Sequence, residues 1–189
     1  MTRARTRRIL PDNVKSSRLY ILIALLAIAV AGTWFYLSHR PEAVGNTLTV
    51  YYTKLDGKTL GNLSVSLRPP QPGESAAEHL RNVALYAAVQ AVAGPPGGVQ
   101  AIRFPPGTRV AGVNVNGTTA TVDLTKEVEQ QAGGTFGENG EFKALVYTVT
   151  GVRGIDAVSV TVDGQTLPTL PGGHIELDEP LHRSDFSDL

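Results

Sequence analysis

The stretch that decides the fold is Thr108–Leu124, TRVAGVNVNGTTATVDL. Its two arms, residues 108–115 and 118–124, alternate apolar and polar side chains, which is typical of strands with one buried face. Between them stands Asn116-Gly117, a dipeptide that favours a type I′ hairpin turn because both central residues need a positive φ. The sequence therefore predicts an antiparallel hairpin. Its core-facing residues would be Val113, Val115, Ala120, Val122 and Leu124.

Further strands are predicted on both sides of this hairpin. Residues 48–55 and 63–67 alternate in the same way and are separated by the turn signal Asp56-Gly57. Residues 157–163, AVSVTVD, repeat the pattern after the hairpin, with Val158, Val160 and Val162 facing inward. We also expect short strands at residues 101–104 and 166–167.

Two helices are predicted in the same part of the chain. Residues 75–93 begin with Ser75 and Glu78, a capping-box pair, and carry one apolar face. Residues 141–150 place Phe142, Leu145, Val146 and Val149 on one face. One-sided helices and alternating strands indicate an α+β fold, with two helices packed on one face of a mixed or antiparallel sheet. A doubly wound sheet is excluded because its strands read as continuous apolar runs.

Three connecting segments complete the domain. The glycine-rich run 133–140, GGTFGENG, is predicted to be a flexible loop, and residues 125–131 a single helical turn capped by Thr125. The prolines of residues 69–73 end the second strand, because proline cannot continue the hydrogen bonding of a sheet. Residues 181–189 are polar and acidic and are expected to form a frayed tail.

The N-terminal part contains Leu19–Leu37, LYILIALLAIAVAGTWFYL, a run without charged residues. A bilayer core requires about 20 apolar residues at about 1.5 Å rise each, so this run predicts a transmembrane helix. A cleaved signal peptide is the alternative, since Ala29-Val30-Ala31 matches an A-x-A site. Cleavage there would leave residues 34–37 (TrpPheTyrLeu) at the new N-terminus, whereas an aromatic cluster is typical of a membrane interface. We therefore favour the anchor.

The charge distribution predicts the orientation of that anchor. Residues 1–18 carry six Lys or Arg and one Asp, whereas residues 47–189 carry ten Lys or Arg and fifteen Asp or Glu. Basic flanks stay in the cytoplasm, which predicts a cytoplasmic tail (1–18), a membrane span (19–37), a linker (38–46), an extracytoplasmic domain (47–180) and the acidic tail (181–189). An acidic domain argues against nucleic acid as a partner. The chain has no cysteine, which excludes disulfides and thiolate chemistry.

Few residues suggest chemistry. His174 lies near Glu176, Asp178 and Glu179, and a histidine with carboxylates is a candidate metal ligand or general base. We interpret the preceding Gly172-Gly173 as a tight bend and the histidine as structural. Two aspartates, Asp123 and Asp163, are interpreted as turn-formers, His79 as a solvated surface residue, and His182 as part of the tail. We predict no catalytic, cofactor-binding or metal-binding residues and no cofactor.

Residues 47–180 resemble the GerMN domain family, which takes its name from a spore germination and sporulation protein. The resemblance lies in seven short motifs in a fixed order: residues 50–52 (VYY), 92–95 (VAGP), 102–108 (IRFPPGT), 117–124 (GTTATVDL), 144–148 (ALVYT), 160–164 (VTVDG) and 172–174 (GGH). This chain has one copy, no lipid-carrying cysteine and a membrane anchor in its place. The resemblance implies an extracytoplasmic α+β domain that works in binding or assembly and is not an enzyme.

Two hypotheses about function follow. The favoured one is a membrane-tethered interaction or assembly module of the bacterial envelope, related to sporulation or the cell wall, which binds an envelope protein or copies of itself through loops such as 69–73 and 133–140. The alternative is a domain that binds or hydrolyses cell-wall glycan, with peptidoglycan as partner. That alternative depends on His174 and its neighbouring carboxylates.

Overall fold

The computed structural model describes residues 20, 25–34, 47–130, 134–171 and 173–186. The chain divides into two compact units, residues 1–42 and 43–189. In the first unit, residue 20 and residues 25–34 are helical. Among the described residues, no helix has the length and apolarity needed to cross a membrane. The predicted tail 1–18, the linker 38–46 and the remaining residues of the 19–37 segment lie outside the described part of the chain.

The second unit has the predicted α+β composition. Its elements, in chain order, are β1 (Thr47–Thr53), β2 (Leu60–Ser66), α1 (Ala76–Ala93), β3 (Val110–Asn116), β4 (Thr119–Leu124), a 3-10 turn (Lys126–Glu129), α2 (Gly134–Val149), β5 (Ala157–Val162) and a second 3-10 turn (Arg183–Phe186). Helix α1 has the predicted capping box, in which the Ser75 hydroxyl accepts from the Glu78 N–H and the Glu78 carboxylate accepts from the Ser75 N–H. Residues 101–104 and 166–167, predicted as short strands, are not strands.

The strands form two sheets where we predicted one. Strands β1 and β2 make an antiparallel pair, and β3, β4 and β5 make a mixed sheet in which β4 pairs antiparallel with β3 and parallel with β5. The free edge of β1 faces other groups: the Tyr51 N–H donates to Thr148 Oγ1 of α2 at 2.9 Å, and the Thr53 carbonyl accepts from the Ile102 N–H at 2.9 Å. Helix α2 and the extended segment at Ile102 thus cover the edge of β1 at which a further strand would be needed to join the two sheets.

The predicted core faces are confirmed. Helix α2 buries the four residues Phe142, Leu145, Val146 and Val149 completely. Strands β4 and β5 bury Ala120, Val122, Leu124, Val158, Val160 and Val162 in the same apolar core. On β3, Val113 and Val115 are only partly buried.

The hairpin forms in the predicted place, but its turn type is different. The register pairs Asn116 with Thr119, so Gly117 and Thr118 are the two central residues. Gly117 has φ +59°, whereas Thr118 is not among the residues with positive φ. A positive φ at the first central position alone is the signature of a type II′ turn, so the type I′ prediction is wrong. The turn that has two positive φ values is Asp163-Gly164, at +46° and +77°.

Residues 134–140, which were predicted as part of a glycine-rich loop, form the first half of helix α2, which begins at Gly134. Tertiary contacts offset the poor helix propensity of its glycines. The Thr53 hydroxyl donates to the Gly140 carbonyl at 2.7 Å, and Lys143 Nζ donates to the Lys58 carbonyl at 3.0 Å. Both contacts fasten the helix to the β1–β2 hairpin.

His79 is buried and not solvated as predicted. Its residue surface is 7 % exposed, and its Nδ1 lies 3.2 Å from Glu74 Oε2. The sequence indicated only that His79 lies in the first turn of α1, which is compatible with exposure. In the structure, the segment that follows β2 packs against this turn and covers the side chain.

The structure leaves no room for a side chain at Gly140, and this gives a first test of the packing of α2. A Cβ on Gly140 would lie 2.5 Å from Ile102 Cδ1, whereas a Cβ on Gly137 of the same helix would have no neighbour closer than 3.8 Å. We expect Gly140→Ala to destabilise the chain by about 1–3 kcal/mol through overpacking. Gly137→Ala should be neutral or stabilising by up to about 1 kcal/mol through helix propensity. Urea unfolding of the full-length chain in mild detergent measures both, and equal effects would contradict the packing explanation.

The turn between β1 and β2 gives a second test, based on pH. Asp56 accepts from the N–H groups of Lys58 and Thr59 at 2.9 and 2.8 Å and from the Thr59 hydroxyl at 2.6 Å. The Thr59 hydroxyl, followed by the two N–H groups, lowers the pKa of Asp56 from 3.8 to about 2. Because the folded-state pKa is the lower one, this stabilisation is complete above about pH 4 and is lost as the pH falls towards 2.

We therefore expect Asp56→Asn to unfold at a lower temperature than the parent chain at pH 6, with a difference that closes between pH 4 and pH 2. Thermal unfolding followed by circular dichroism across this range measures the difference. Asp178→Asn, at an exposed position, is the control. A difference for Asp56→Asn that does not change with pH would show that the charge of Asp56 plays no part.

Candidate functional site

The segment after Leu170 contains the histidine that the sequence singled out. Ile175 and Leu177 are buried, whereas His174, Glu176 and Asp178 are exposed. Alternate residues of an extended segment point to opposite sides, so His174 and Glu176 share the outward side. This exposure agrees with the prediction that the two side chains lie on one side of the segment.

His174 and Glu176 line a groove of about 590 Å³ that we call the C-terminal groove. Its lining residues are Asn139, His174, Ile175, Glu176, Glu179, Pro180, Leu181, His182, Asp185 and Phe186. Two histidines and three carboxylates thus border one depression, and Asp178 does not take part. In the described part of the chain, no three His, Asp or Glu residues are arranged to hold a metal ion. The groove offers hydrogen-bonding and acidic groups to a partner.

Glu138 of α2 binds the backbone of the segment that contains His174. Its carboxylate is fully buried, and Oε2 accepts from the His174 N–H at 2.8 Å. Gly173 lies directly against the carboxylate, where a Cβ would overlap Oε1. Oε1 has no hydrogen-bond partner among the described residues. The bend predicted from the glycine pair therefore fits at Gly173, because only a residue without a side chain leaves room for Glu138.

The following residues are docked on the domain and do not fray as predicted. Leu181 exchanges two backbone hydrogen bonds with Val158, and Phe186 is buried. Arg183 donates from Nε to Thr150 Oγ1 at 2.7 Å and from Nη2 to the Tyr147 carbonyl at 2.9 Å. Residues 187–189 lie outside the described part. The prediction failed because two buried apolar side chains within an acidic run are enough to dock it.

The two aspartates singled out in the sequence serve one turn. Asp123 Oδ1 accepts from the Thr161 hydroxyl at 2.7 Å and from the Gly164 N–H at 2.8 Å. Asp163 is itself a turn residue with positive φ. Their interpretation as turn-formers is confirmed.

An exposed apolar patch lies at the N-terminal end of α2. Phe136 is 54 % exposed and its ring contacts Gly57, and Leu55 in the same β1–β2 turn is 55 % exposed. We call these three residues the Leu55–Phe136 patch. Exposed aromatic side chains are enriched where proteins bind each other. The sequence had singled out the 133–140 segment as a contact surface, but as a loop.

Two charged residues were missed in the sequence, Glu74 and Glu138. Each directly follows a glycine, Gly73 or Gly137, in or beside a segment that the sequence predicted as an exposed connection. The only feature of the sequence that could have indicated a structural role for these two residues is that each is a carboxylate in a stretch with few other charged residues.

Comparisons with known proteins agree on the fold. The Germane family, described as sporulation and spore germination, matches residues 49–168. The tandem GerMN domains of the sporulation protein GerM from Bacillus subtilis match with a TM-score of 0.53 and 21 % identity, over 76 % of this chain and 48 % of that one. This chain thus spans about half the length of the tandem protein.

Two further solved structures are similar. The first GerMN domain of the same protein matches with a TM-score of 0.50 and 23 % identity, over 74 % of this chain and 98 % of that one. A lipoprotein candidate from Clostridium perfringens matches with a TM-score of 0.50 and 17 % identity, over 76 % and 90 %. No curated protein matches the chain. The matched residues include helices α1 and α2, strands β2 to β5 and residues 49–53 of β1, and on this evidence the chain belongs to the Germane family of GerMN domains.

Proposed function

We propose that this chain is a non-enzymatic interaction module that is tethered to the bacterial cell membrane by residues 19–37. It holds its GerMN domain outside the cytoplasm and docks a protein of the envelope. The family's association with sporulation and spore germination supports a role in that process.

The observation that carries the proposal is the Leu55–Phe136 patch. Phe136 and Leu55 each expose more than half of their surface to solvent. Helix α2 is fastened to β1 through Gly140 and to the β1–β2 turn through Lys143. The patch is therefore a preformed surface on rigid elements, and binding to it requires little ordering of the domain.

The tether supports the same proposal from the sequence. The uncharged segment 19–37 is long enough for a bilayer, and its basic N-terminal flank favours a cytoplasmic tail. A single-pass anchor confines a small domain to the membrane surface and so raises its effective concentration for partners there.

Site-specific crosslinking tests the docking surface. A photoreactive benzoylphenylalanine at Leu55 of the full-length chain should give a discrete product with an envelope protein in cells. Phe136→Asp in the same chain should weaken binding by about 2 kcal/mol or more, roughly 30-fold, because it removes a central aromatic contact. The crosslinked product should fall accordingly.

The same photoreactive residue at Asn114, exposed on β3, is the control and should give no such product. A product of twice the mass of the chain would identify a second copy as the partner. Equal products from both positions, or a product from Leu55 that survives Phe136→Asp, would contradict docking at the patch.

The absence of cysteine makes the topology testable with single cysteines. We expect Asn114→Cys to react with a membrane-impermeant maleimide on spheroplasts, because the domain lies outside. Thr6→Cys in the basic tail should react only after the membrane is opened. The reverse pattern would overturn the orientation, and reaction of both in intact spheroplasts would overturn the anchor.

A further inference from the structure

A second cleft, which shares no lining residue with the C-terminal groove, lies between the end of β2 and helix α1. It has a volume of about 340 Å³ and is lined by Ser66, Leu67, Arg68, His79, Asn82, Val83 and Tyr86. The four helical residues are spaced i, i+3, i+4 and i+7, so they share one face of α1. We call this depression the helix cleft. Its size is at the lower end of the range for small-molecule sites.

Glu74 organises the polar side of the helix cleft. Its Oε1 accepts from Asn82 Nδ2 at 2.6 Å, and its Oε2 accepts from the Gln71 N–H at 2.8 Å and faces His79 Nδ1 at 3.2 Å. The hydrogen bond from Gln71, followed by that from Asn82, lowers the pKa of Glu74. Glu74 is therefore a carboxylate at neutral pH and can only accept.

This arrangement fixes which atoms the cleft presents. Because Glu74 accepts, His79 Nδ1 must carry the proton, and in the neutral ring Nε2 is then an acceptor. Asn82 likewise directs its Nδ2 to Glu74, which leaves its Oδ1 as an acceptor. In the described part of the chain, neither Nε2 nor Oδ1 has a hydrogen-bond partner. Two residues that line the cleft thus each keep one acceptor atom that can bind a donor from a ligand.

The other lining residues add a cation and an apolar wall. Arg68 is exposed, and its guanidinium has no ion pair or hydrogen bond among the described residues. Leu67, Val83 and the ring of Tyr86 form the apolar side, and Tyr86 is 38 % exposed. An aromatic ring at a pocket rim can pack against the C–H face of a ring-shaped ligand, and its hydroxyl extends the polar side.

We infer that the helix cleft binds an acidic sugar unit, a pyranose ring that carries a carboxylate. The ring hydroxyls or an amide N–H would donate to His79 Nε2 and Asn82 Oδ1. The C–H face of the ring would pack on Tyr86, and the carboxylate would pair with Arg68, whose planar guanidinium suits a carboxylate. This site is separate from the protein-docking patch and independent of the proposed interaction.

Two pairs of probes separate the carboxylate from the ring. Glucuronic acid is compared with glucose, and N-acetylmuramic acid with N-acetylglucosamine. Backbone amide shifts of the ¹⁵N-labelled full-length chain in detergent should move at residues 66–68 and 79–86, with at least one acid binding about 10-fold tighter than its neutral counterpart. The preference should decrease with salt, because Arg68 is exposed.

Variants assign the roles of the residues. Arg68→Met should remove the preference for the acid and leave the neutral sugar unchanged, and Arg68→Lys should restore part of it. Tyr86→Ala should weaken acid and neutral sugars alike, by about 5-fold. Arg109→Met, at another exposed arginine, is the matched control and should change neither.

Three results would overturn the inference. The first is that neither acid binds better than its neutral counterpart. The second is that Arg68→Met and Arg109→Met weaken the acid equally, which would indicate nonspecific attraction. The third is that the shifts fall outside the helix cleft. An unchanged amide spectrum of each variant without sugar establishes that it is folded.

Discussion

The structure depends on the close contact between helix α2 and the free edge of β1. At one end the Tyr51 N–H donates to Thr148, and at the other the Thr53 hydroxyl donates to the carbonyl of Gly140. A backbone N–H at a covered strand edge has to find an acceptor, because an unpaired buried donor costs about 1–3 kcal/mol. The side chain of Thr148 supplies that acceptor. The helix therefore replaces a neighbouring strand, and the five strands divide into two sheets.

Several features of the chain follow from that contact. Ile102 packs against Gly140 and donates its N–H to the Thr53 carbonyl, so the segment between α1 and β3 runs along the same edge. Glu138, one turn before Phe142, is directed towards residues 173–174 and fixes the bend there. The approach of α2 to β1 thus positions both the Leu55–Phe136 patch and the base of the C-terminal groove.

Local patterns predicted most of the fold, and long-range contacts decided the rest. The capping box at Ser75 and the alternation in β4 and β5 depend on neighbouring residues, and the structure confirms both. The 133–140 segment has four glycines and predicts a loop, yet residues 134–140 are helical. Thr53 and Lys58 hold helix α2 at Gly140 and Lys143, from 87 and 85 positions away in the chain. The pair of His174 and Glu176 was visible in the alternation of the chain. The burial of Glu138 could not be predicted in this way, because it depends on residues 173–174, which are distant in sequence. The placement of the Glu74 carboxylate depends on the folded-back turn at Gln71.

The two surfaces proposed for binding lie at opposite ends of the β1–β2 hairpin. Leu55 is in the turn before β2, and Arg68 lies two residues beyond Ser66, the last residue of β2. Seven residues of strand span about 23 Å at roughly 3.3 Å per residue. One domain can therefore hold a protein at the turn and a small ligand at the helix cleft without either blocking the other. Since rigid strands connect the two ends, binding at one site is expected to leave the affinity of the other unchanged, and any coupling between them would require the β1–β2 pair to move against α1 or α2.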